Sequence, residues 1–211
     1  MLDIILVRHG ETAWNAGETF RGKKDIPLNE TGVKQAQLLG EYLRDEKIDV
    51  IYSSPLSRAV ETAEAVAAHH DLAVDIVGNL VDMDFGEWEG LMVAEVKDRY
   101  EEVYRDWLDT PEQVKIPGGE SLADVEQRVV PFLEDAVARL GEGTIVLVSH
   151  RVVLKVLICN LLCLGNAAFF NVKLDNAAVT RFVFDGSRAI LTGHNDTSFL
   201  RPLNHPALND F

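Results

Sequence analysis

The chain has 211 residues, a length that favours one α/β domain over two. Hydrophobic residues make up 47% of it and charged residues 26%, which is ordinary for a globular protein and excludes disordered, collagen-like and low-complexity classes. The 34 acidic and 20 basic residues give a net charge of −14, whereas nucleic acid and anionic membranes attract basic surfaces. We therefore expect neither nucleic acid nor a membrane as the partner.

The sequence shows no sign of export, of disulfide staples or of a membrane span. Its two cysteines, Cys159 and Cys163, are too few for a disulfide framework, and no second pair completes a metal site with them. The first residues do not resemble a signal peptide, and the longest apolar stretch, 152–164, is shorter than the ~20 residues of a membrane span. We expect a cytoplasmic protein with reduced cysteines.

Strand-like and helix-like segments alternate along the chain, which predicts a sheet covered by helices on both faces. Residues 4–7 have the wholly apolar pattern of a buried strand, and Asn29 supplies a cap for a helix over about 32–46. A second strand is predicted at 50–53, and an alanine- and glutamate-rich helix follows over 56–70.

The second half of the chain continues this alternation. Residues 92–109 carry apolar side chains at helical spacing and predict one charged helix. Another helix begins near Ser121 and ends at about residue 140, and Pro131 within it predicts a kink or a junction. A buried strand over 144–149 then precedes the apolar helix 152–164.

The last predicted unit is a hairpin at the sheet edge. Residues 177–184 and 189–192 form its strands, and the polar tail from His194 is assigned no structure. The predicted fold class is α/β, a three-layer α/β/α arrangement with a mostly parallel central sheet and an antiparallel edge strand. We predict a single domain over 1–211. Because the apolar edge hairpin could pair between subunits, a homodimer stays open.

Basic or imidazole side chains come shortly after three of the predicted strands. Arg8 and His9 follow the first strand, Arg58 follows the second, and His150 follows the strand at 144–149. Because open α/β sheets bind ligands beyond the carboxyl ends of their strands, we expect these four side chains to share one crevice. Two arginines and two histidines on an otherwise acidic protein form a local anion site, which points to phosphate.

Further blocks of residues accompany these side chains along nearly the whole chain. They are Arg8-His-Gly-Glu-Thr-Ala-Trp-Asn15, Asp25-Ile-Pro-Leu-Asn-Glu-Thr-Gly32, Ser53-Ser-Pro-Leu-Ser-Arg-Ala59, Phe85-Gly-Glu-Trp-Glu-Gly90, Pro117-Gly-Gly-Glu-Ser121, Ser149-His150 and Asn176-Ala-Ala178. In this order the blocks resemble the histidine phosphatase superfamily, a phosphoglycerate mutase-like family. We further predict that residues 83–120 form a lid or cap region of the single domain.

The resemblance implies a metal-independent phosphomonoester hydrolase, a phosphatase of the histidine acid type, that acts on a small phosphorylated metabolite. A neutral His9 would attack the phosphoryl group and hold it as phosphohistidine. Arg8, Arg58 and His150 would disfavour an imidazolium at His9 and would hold the phosphoryl oxygens. Because four basic side chains supply this charge, we expect no metal and no cofactor.

The same resemblance implies the residues that bind the substrate. Asn15 and Thr12 belong to the first block, and Asn15 would contact the phosphoryl group. Arg21 and Gly22 lie in the loop at the mouth of the site. Arg21 departs from the family, which usually has a small polar residue or glutamine there. It either adds an anion contact or is a solvated side chain.

The proton donor for the leaving oxygen is a second departure. Asp82 matches the position at which the family commonly has glutamate, and its side chain is one methylene shorter. Asp84 falls on the same face of the strand and is the second candidate. A third departure is Arg151, which stands directly after His150 where a small glycine is usual. It either adds positive charge at the rim of the crevice or restricts the loop.

Two other functions are kept as alternatives. A cofactor-dependent phosphoglycerate mutase of this family resembles this chain less well, because mutases have Glu-Arg-His-Tyr-Gly and a long insertion where this chain has Asp-Met-Asp-Phe-Gly at 82–86 and a short segment. Residues 91–117 also carry seven acidic against four basic side chains, which disfavours retention of a bisphosphate. A catalytically impaired phosphate-binding or scaffolding protein is the other alternative, supported only by the departures at Asp82 and Arg151.

Overall fold

A six-stranded sheet forms the centre of the computed structural model, which describes residues 1–16, 19–185 and 188–203. Its strands are β1 (Leu2–Arg8), β2 (Val50–Ser53), β3 (Val74–Ile76), β4 (Gly143–Ser149), β5 (Val179–Asp185) and β6 (Arg188–Asp196). They lie side by side in the order β3-β2-β4-β1-β5-β6. Strands β1 to β4 are parallel, β5 is antiparallel to β1, and β6 is antiparallel to β5. The predicted α/β class is confirmed, and β6 extends the sheet one strand beyond the antiparallel β5.

Helices cover both faces of the sheet because its central strands are apolar on both sides. The helices are α1 (Ala13–Ala16), α2 (Glu30–Leu43), α3 (Ser57–Ala67), α4 (Val93–Arg99), α5 (Glu101–Asp109), α6 (Leu122–Leu140) and α7 (Arg151–Leu161). Ile5 and Val7 pack with apolar residues of α2 and α3, whereas Ile4 and Leu6 pack with those of α6 and α7. Alternate residues of a strand point to opposite faces, so one short apolar run fixes both layers.

The single helix predicted for 92–109 is wrong, because two helices meet at Tyr100. This residue has φ −129° and ψ 39°, outside the helical region, and it ends α4 and begins α5. Its hydroxyl donates a hydrogen bond of 2.9 Å to Glu87, and its ring lies 6.2 Å from that of Trp88. The break therefore accompanies packing of the segment on a buried tryptophan, which helical spacing in the sequence cannot report.

Two further expectations for the second half are affected. Helix α6 is one continuous helix through Pro131, so the proline marks no junction, and the kink stays a prediction. No structure is predicted for the tail from His194, yet β6 extends to Asp196 and a 3₁₀ turn follows at Ser198–Leu203. Phe199 in that turn stacks on Tyr42 of α2, with 4.7 Å between the ring centroids. The end of the described chain therefore packs against α2. The centre of the expected hairpin turn, 186–187, lies outside the described residues.

Candidate active site

The carboxyl ends of three parallel strands meet at one edge of the sheet. Strand β4 pairs with both β1 and β2, and its register places Ser149 opposite Arg8. The backbone N–H of His9 donates to the Ser149 carbonyl at 3.0 Å, so the two chain segments leave the sheet together. Four of the predicted site residues lie here with no more than 1% of their surface exposed: Arg8, His9, Arg58 and His150.

One ring nitrogen of His9 is committed to the backbone. Nδ1 lies 2.6 Å from the carbonyl oxygen of Gly10, and a carbonyl can only accept, so Nδ1 carries the proton. In the neutral ring Nε2 therefore holds the lone pair. Burial, followed by the charges of Arg58, Arg8 and Arg21, holds the pKa of His9 well below its ordinary value of 6.5. From the sequence only the neighbouring cations are expected to lower this pKa, whereas desolvation by burial is the larger cause of the shift.

Backbone carbonyls hold Arg8 and Arg58. Arg58 lies in the first turn of α3, and its Nη1 and Nη2 donate to the carbonyls of Lys24 and Gly22 at 2.8 and 3.0 Å. Arg8 donates from Nη1 to the carbonyl of Leu174 at 2.7 Å. The buried Nε of Arg58 has no hydrogen-bond partner within the described residues. The fixed guanidinium of Arg58, with a spare N–H donor, suits an oxygen of a phosphoryl group.

His150 faces His9 across the crevice, with the ring centroids 5.2 Å apart. Its Nε2 is 2.7 Å from Oγ of Ser54, which follows β2. Burial, then the charge of Arg58, holds its pKa well below 6.5 as well. Nδ1 has no hydrogen-bond partner in the ranges that the structure describes, although Oδ2 of Asp82 lies 3.8 Å away.

Asn15 of α1 is oriented by its neighbour Thr12. The backbone N–H and the hydroxyl of Thr12 each donate to Oδ1 of Asn15 at 2.9 Å. Asn176 donates to the same oxygen at 3.4 Å and to the carbonyls of His9 and Gly10 at 3.3 Å. The amide Nδ2 of Asn15 is buried and has no partner among the residues that are described. Thr12 therefore orients the side chain of Asn15, and the amide nitrogen of Asn15 is the donor available to an anion.

Arg21 belongs to the site rather than to the solvent. Only 9% of its surface is exposed, and its charge contributes to the lowered pKa values of both His9 and His150. This agrees with the anion-contact alternative and disagrees with a solvated side chain. Gly22 follows with φ +52°, a backbone conformation that favours glycine, and this turn presents its carbonyl to Arg58.

The two candidate proton donors have different surroundings. Oδ2 of Asp82 lies 3.4 Å from Nη2 of Arg58, and its Oδ1 accepts from the backbone of Met83 at 2.9 Å. Asp84 instead accepts from the Gly86 N–H at 2.8 Å and pairs with Lys23 at 3.2 Å. The structure therefore brings Asp82 to the arginine and histidine cluster and occupies Asp84 in a turn.

Three further points concern the position of Arg151, groups that could hold a metal ion, and helices that could span a membrane. Arg151 is the half-buried first residue of α7. Within the described ranges no group of three or more His, Cys, Asp or Glu side chains could hold a metal ion. No helix in those ranges has the length and apolar character that crossing a membrane requires.

Comparison with known proteins identifies the family of the chain. The family model described as histidine phosphatase superfamily (branch 1) matches residues 4–197. The chain belongs to the histidine phosphatase superfamily. The predicted family is thus confirmed over nearly the whole chain.

Phosphatases are among the relatives of this histidine phosphatase superfamily member. Phosphoserine phosphatase 1 of Hydrogenobacter thermophilus is 39% identical over 95% of both chains. A solved structure of a phosphoserine phosphatase mutant from Entamoeba histolytica in complex with phosphoserine is 31% identical, with a TM-score of 0.86 over 95% of this chain and all of the other. A probable phosphoglycerate mutase of Yersinia pestis is 31% identical over 92% of this chain and 90% of its own.

Sequence reasoning on this superfamily member missed several supporting residues. Ser54 and Asn176 stand inside blocks that carry the resemblance, so their positions were visible although their contacts were not. Arg128 and Glu120 hold the segment that carries Asp82, and only Glu120 lies in such a block. Contacts over long sequence separations leave no local pattern that could have found Arg128.

Proposed function

We propose that the protein is a metal-independent phosphomonoesterase that works through a phosphohistidine at His9. The observation that carries this proposal is the state of His9, which is buried, neutral and held with Nε2 as its free lone pair. An imidazole in this state is a nucleophile, and hydrolysis by way of a covalent intermediate replaces one difficult step by two easier ones.

In the first step Nε2 of His9 attacks phosphorus and the P–O bond of the ester breaks. Arg8, Arg58 and the amide of Asn15 hold the non-bridging oxygens, where negative charge must be stabilised as the phosphoryl group passes between nitrogen and oxygen. His150 lies on the other side of the same crevice. The dianion that binds there opposes the lowered pKa of His150, so a bound phosphoryl group favours its protonated form.

Asp82 gives a proton to the leaving alkoxide in the first step. In the second step its carboxylate takes a proton from water, the new P–O bond forms and the P–N bond to His9 breaks. Inorganic phosphate leaves, and both residues return to their starting states. The proximity of Asp82 to Arg58 and His150 supports this role over Asp84, which is held by Lys23 and Gly86.

We propose a small phosphomonoester as the substrate, with phosphoserine as the first compound to test. The support is the similarity to phosphoserine phosphatase 1 and to the structure solved with phosphoserine. We propose hydrolysis of the acid-phosphatase type, at pH values below neutral. The lowered pKa of His9 supports it, because the nucleophile stays neutral as the pH falls through 6.5.

Phosphate release across a panel of phosphomonoesters tests this function, with a chelator added in a parallel series. We expect acid-labile ³²P on His9, release of phosphate from one small ester above the others, and no loss of activity with the chelator. A second assay uses 3-phosphoglycerate with a catalytic amount of bisphosphoglycerate. Rapid formation of 2-phosphoglycerate without phosphate release would favour the mutase alternative, whereas binding of phosphate without any turnover would favour the scaffolding one.

A further inference from the structure

The segment that carries Asp82 takes most of its hydrogen-bond partners from outside itself. After a 3₁₀ turn at Gly78–Leu80 it has no helix or strand up to Asp84. Backbone carbonyls in such a segment need partners from elsewhere, and those partners decide its path. Four backbone carbonyls of this segment accept hydrogen bonds from outside it. Those of Asn79 and Asp82 accept from the guanidinium of Arg128, that of Leu80 accepts from the Ser149 hydroxyl, and that of Asp84 accepts from the backbone N–H of Glu120.

Arg128 holds two of these carbonyls with one rigid group. Its Nη1 donates to the carbonyl of Asn79 at 2.5 Å and its Nη2 to that of Asp82 at 3.2 Å. The amide of Asn79 donates back to the Arg128 carbonyl at 2.9 Å. A planar guanidinium fixes the spacing and direction of its donors, which a lysine ammonium does not. Because Arg128 belongs to the long helix α6, its hydrogen bonds connect the segment that carries Asp82 to that helix.

Glu120 fixes the guanidinium and the end of the same segment. Its carboxylate accepts from Nε and Nη2 of Arg128 at 3.1 and 3.3 Å and from the Asp84 N–H at 2.8 Å. Its own N–H donates to the Asp84 carbonyl at 2.9 Å. A Cβ on Gly119 would lie 2.4 Å from that carbonyl, so this close approach requires glycine. Both side chains are less than one-fifth exposed.

We propose that Arg128, held by Glu120, is a positioning residue that places the carboxyl group of Asp82 for proton transfer. Arg128 contacts the main-chain carbonyl of Asp82, while the carboxylate of the same residue reaches Arg58 and His150. Proton transfer requires donor and acceptor atoms within about 2.6–3.2 Å, so a small shift of this backbone lowers the rate. The inference rests on the proposed role of Asp82 as the proton donor.

Two substrates with different leaving groups distinguish a positioning role of Arg128 from a purely structural role. An alkoxide needs a proton as it departs, whereas p-nitrophenolate departs without one. We compare Arg128→Met with Arg139→Met, a matched change on the same helix at a side chain that is 64% exposed and pairs with Asp135. The substrates are p-nitrophenyl phosphate and the alkyl phosphate that the protein hydrolyses fastest in the panel.

For Arg128→Met we expect kcat/KM on the alkyl ester, which reports the steps up to departure of the leaving group, to fall by about 10- to 100-fold, part of what a general acid contributes. On p-nitrophenyl phosphate kcat/KM should stay within about threefold, because the later step in which Asp82 takes a proton from water does not enter kcat/KM. Inhibition by inorganic phosphate should be unchanged, because Arg8, Arg58 and Asn15 keep their contacts. Arg128→Lys should be intermediate, since it keeps the charge and loses the fork. It also replaces Arg128→Met if the latter does not fold. Arg139→Met should match the unmodified protein on both esters.

Adding Asp82→Asn to Arg128→Met decides whether the arginine acts through Asp82. We expect kcat/KM of the double variant on the alkyl ester to equal that of Asp82→Asn alone. Once residue 82 cannot donate a proton, displacing its backbone has no further effect on that step. Equal losses of kcat/KM on both esters for Arg128→Met, or a further loss in the double variant, would overturn the positioning role. If Asp82→Asn itself lowers kcat/KM equally on both esters, the assignment of the acid is wrong and the positioning role falls with it. A selective Asp82→Asn with an unselective Arg128→Met overturns the positioning role alone.

Discussion

The crevice that contains His9 and the 83–120 segment are built in different ways. In the crevice, Arg8, His9 and His150 come directly from the ends of β1 and β4, so the register of two buried strands sets their separation. Residues 83–120 contain no strand of the sheet and consist of turns and short helices. Their attachment includes aromatic packing, since Trp88 is fully buried and packs 5.1 Å from Phe20.

This difference assigns different tasks to the two regions. A site built on parallel strands holds its groups to within a fraction of an ångström, as phosphoryl transfer requires. A segment of turns and short helices tolerates changes of length and charge more easily, and is where differences in substrate would arise. From its excess of acidic residues between 91 and 117 we predict a substrate with little negative charge beyond the phosphate. That residues 83–120 act as a lid stays a prediction.

The largest expected effect is the loss of the nucleophile at the strand end. His9→Ala should lower kcat by at least ~10⁴-fold and abolish acid-labile phosphoenzyme, because it removes the Nε2 atom that attacks phosphorus. His69→Ala, at an exposed histidine after α3, is the control and should leave kcat unchanged. Normal turnover in His9→Ala would refute the proposed mechanism.

The next effect separates the two carboxylates, one facing the crevice and one holding the 83–120 segment. Asp82→Asn should lower kcat on an alkyl phosphate by about 10²- to 10⁴-fold, the usual contribution of a general acid. Asp84→Asn should have a much smaller effect on that substrate, because its carboxylate binds Gly86 and Lys23. Steady-state rates on the alkyl and p-nitrophenyl esters measure both. The reverse order of effects would mean that Asp84 is the acid.

A third prediction concerns how the 83–120 segment is attached. Trp88→Ala should lower the free energy of unfolding by about 3–5 kcal/mol, the usual cost of removing a buried aromatic side chain. Leu108→Ala on α5, at a side chain that is 41% exposed, should change it by less than ~0.5 kcal/mol. Urea denaturation measures both variants. Equal values would show that the segment contributes little to the stability of the domain.

The smallest effect is a shift of the pH profile. His9 must be neutral to attack, and its lowered pKa keeps it neutral as the pH falls below 6.5, so kcat/KM should decline only at lower pH. Arg21→Met removes one of the positive charges that lower this pKa. The acidic limb of kcat/KM should therefore move to higher pH. Arg44→Met, at an exposed arginine after α2, is the control and should leave the profile in place.

Much of the crevice could be predicted from the sequence because its residues follow buried strands. Residues 4–7, 50–53 and 144–149 have apolar runs that only a doubly covered sheet accommodates, and side chains just after parallel strands must meet at one edge. The prediction failed where packing overrides a local pattern. Tyr100 breaks an otherwise helical spacing because Trp88 and Glu87 bind it, and neither contact is local in sequence.

The sequence alone determined the α/β class, the family and the four cationic or imidazole side chains, since strand patterns and short motifs are local properties of the chain. Only the tertiary structure decided that burial is the main cause of the lowered pKa of His9, and that Arg21 is buried beside it. It alone placed Asp82 near Arg58 and Asp84 against Lys23. Desolvation and ion pairing depend on what surrounds a group in space, and residues distant in the chain provide those surroundings.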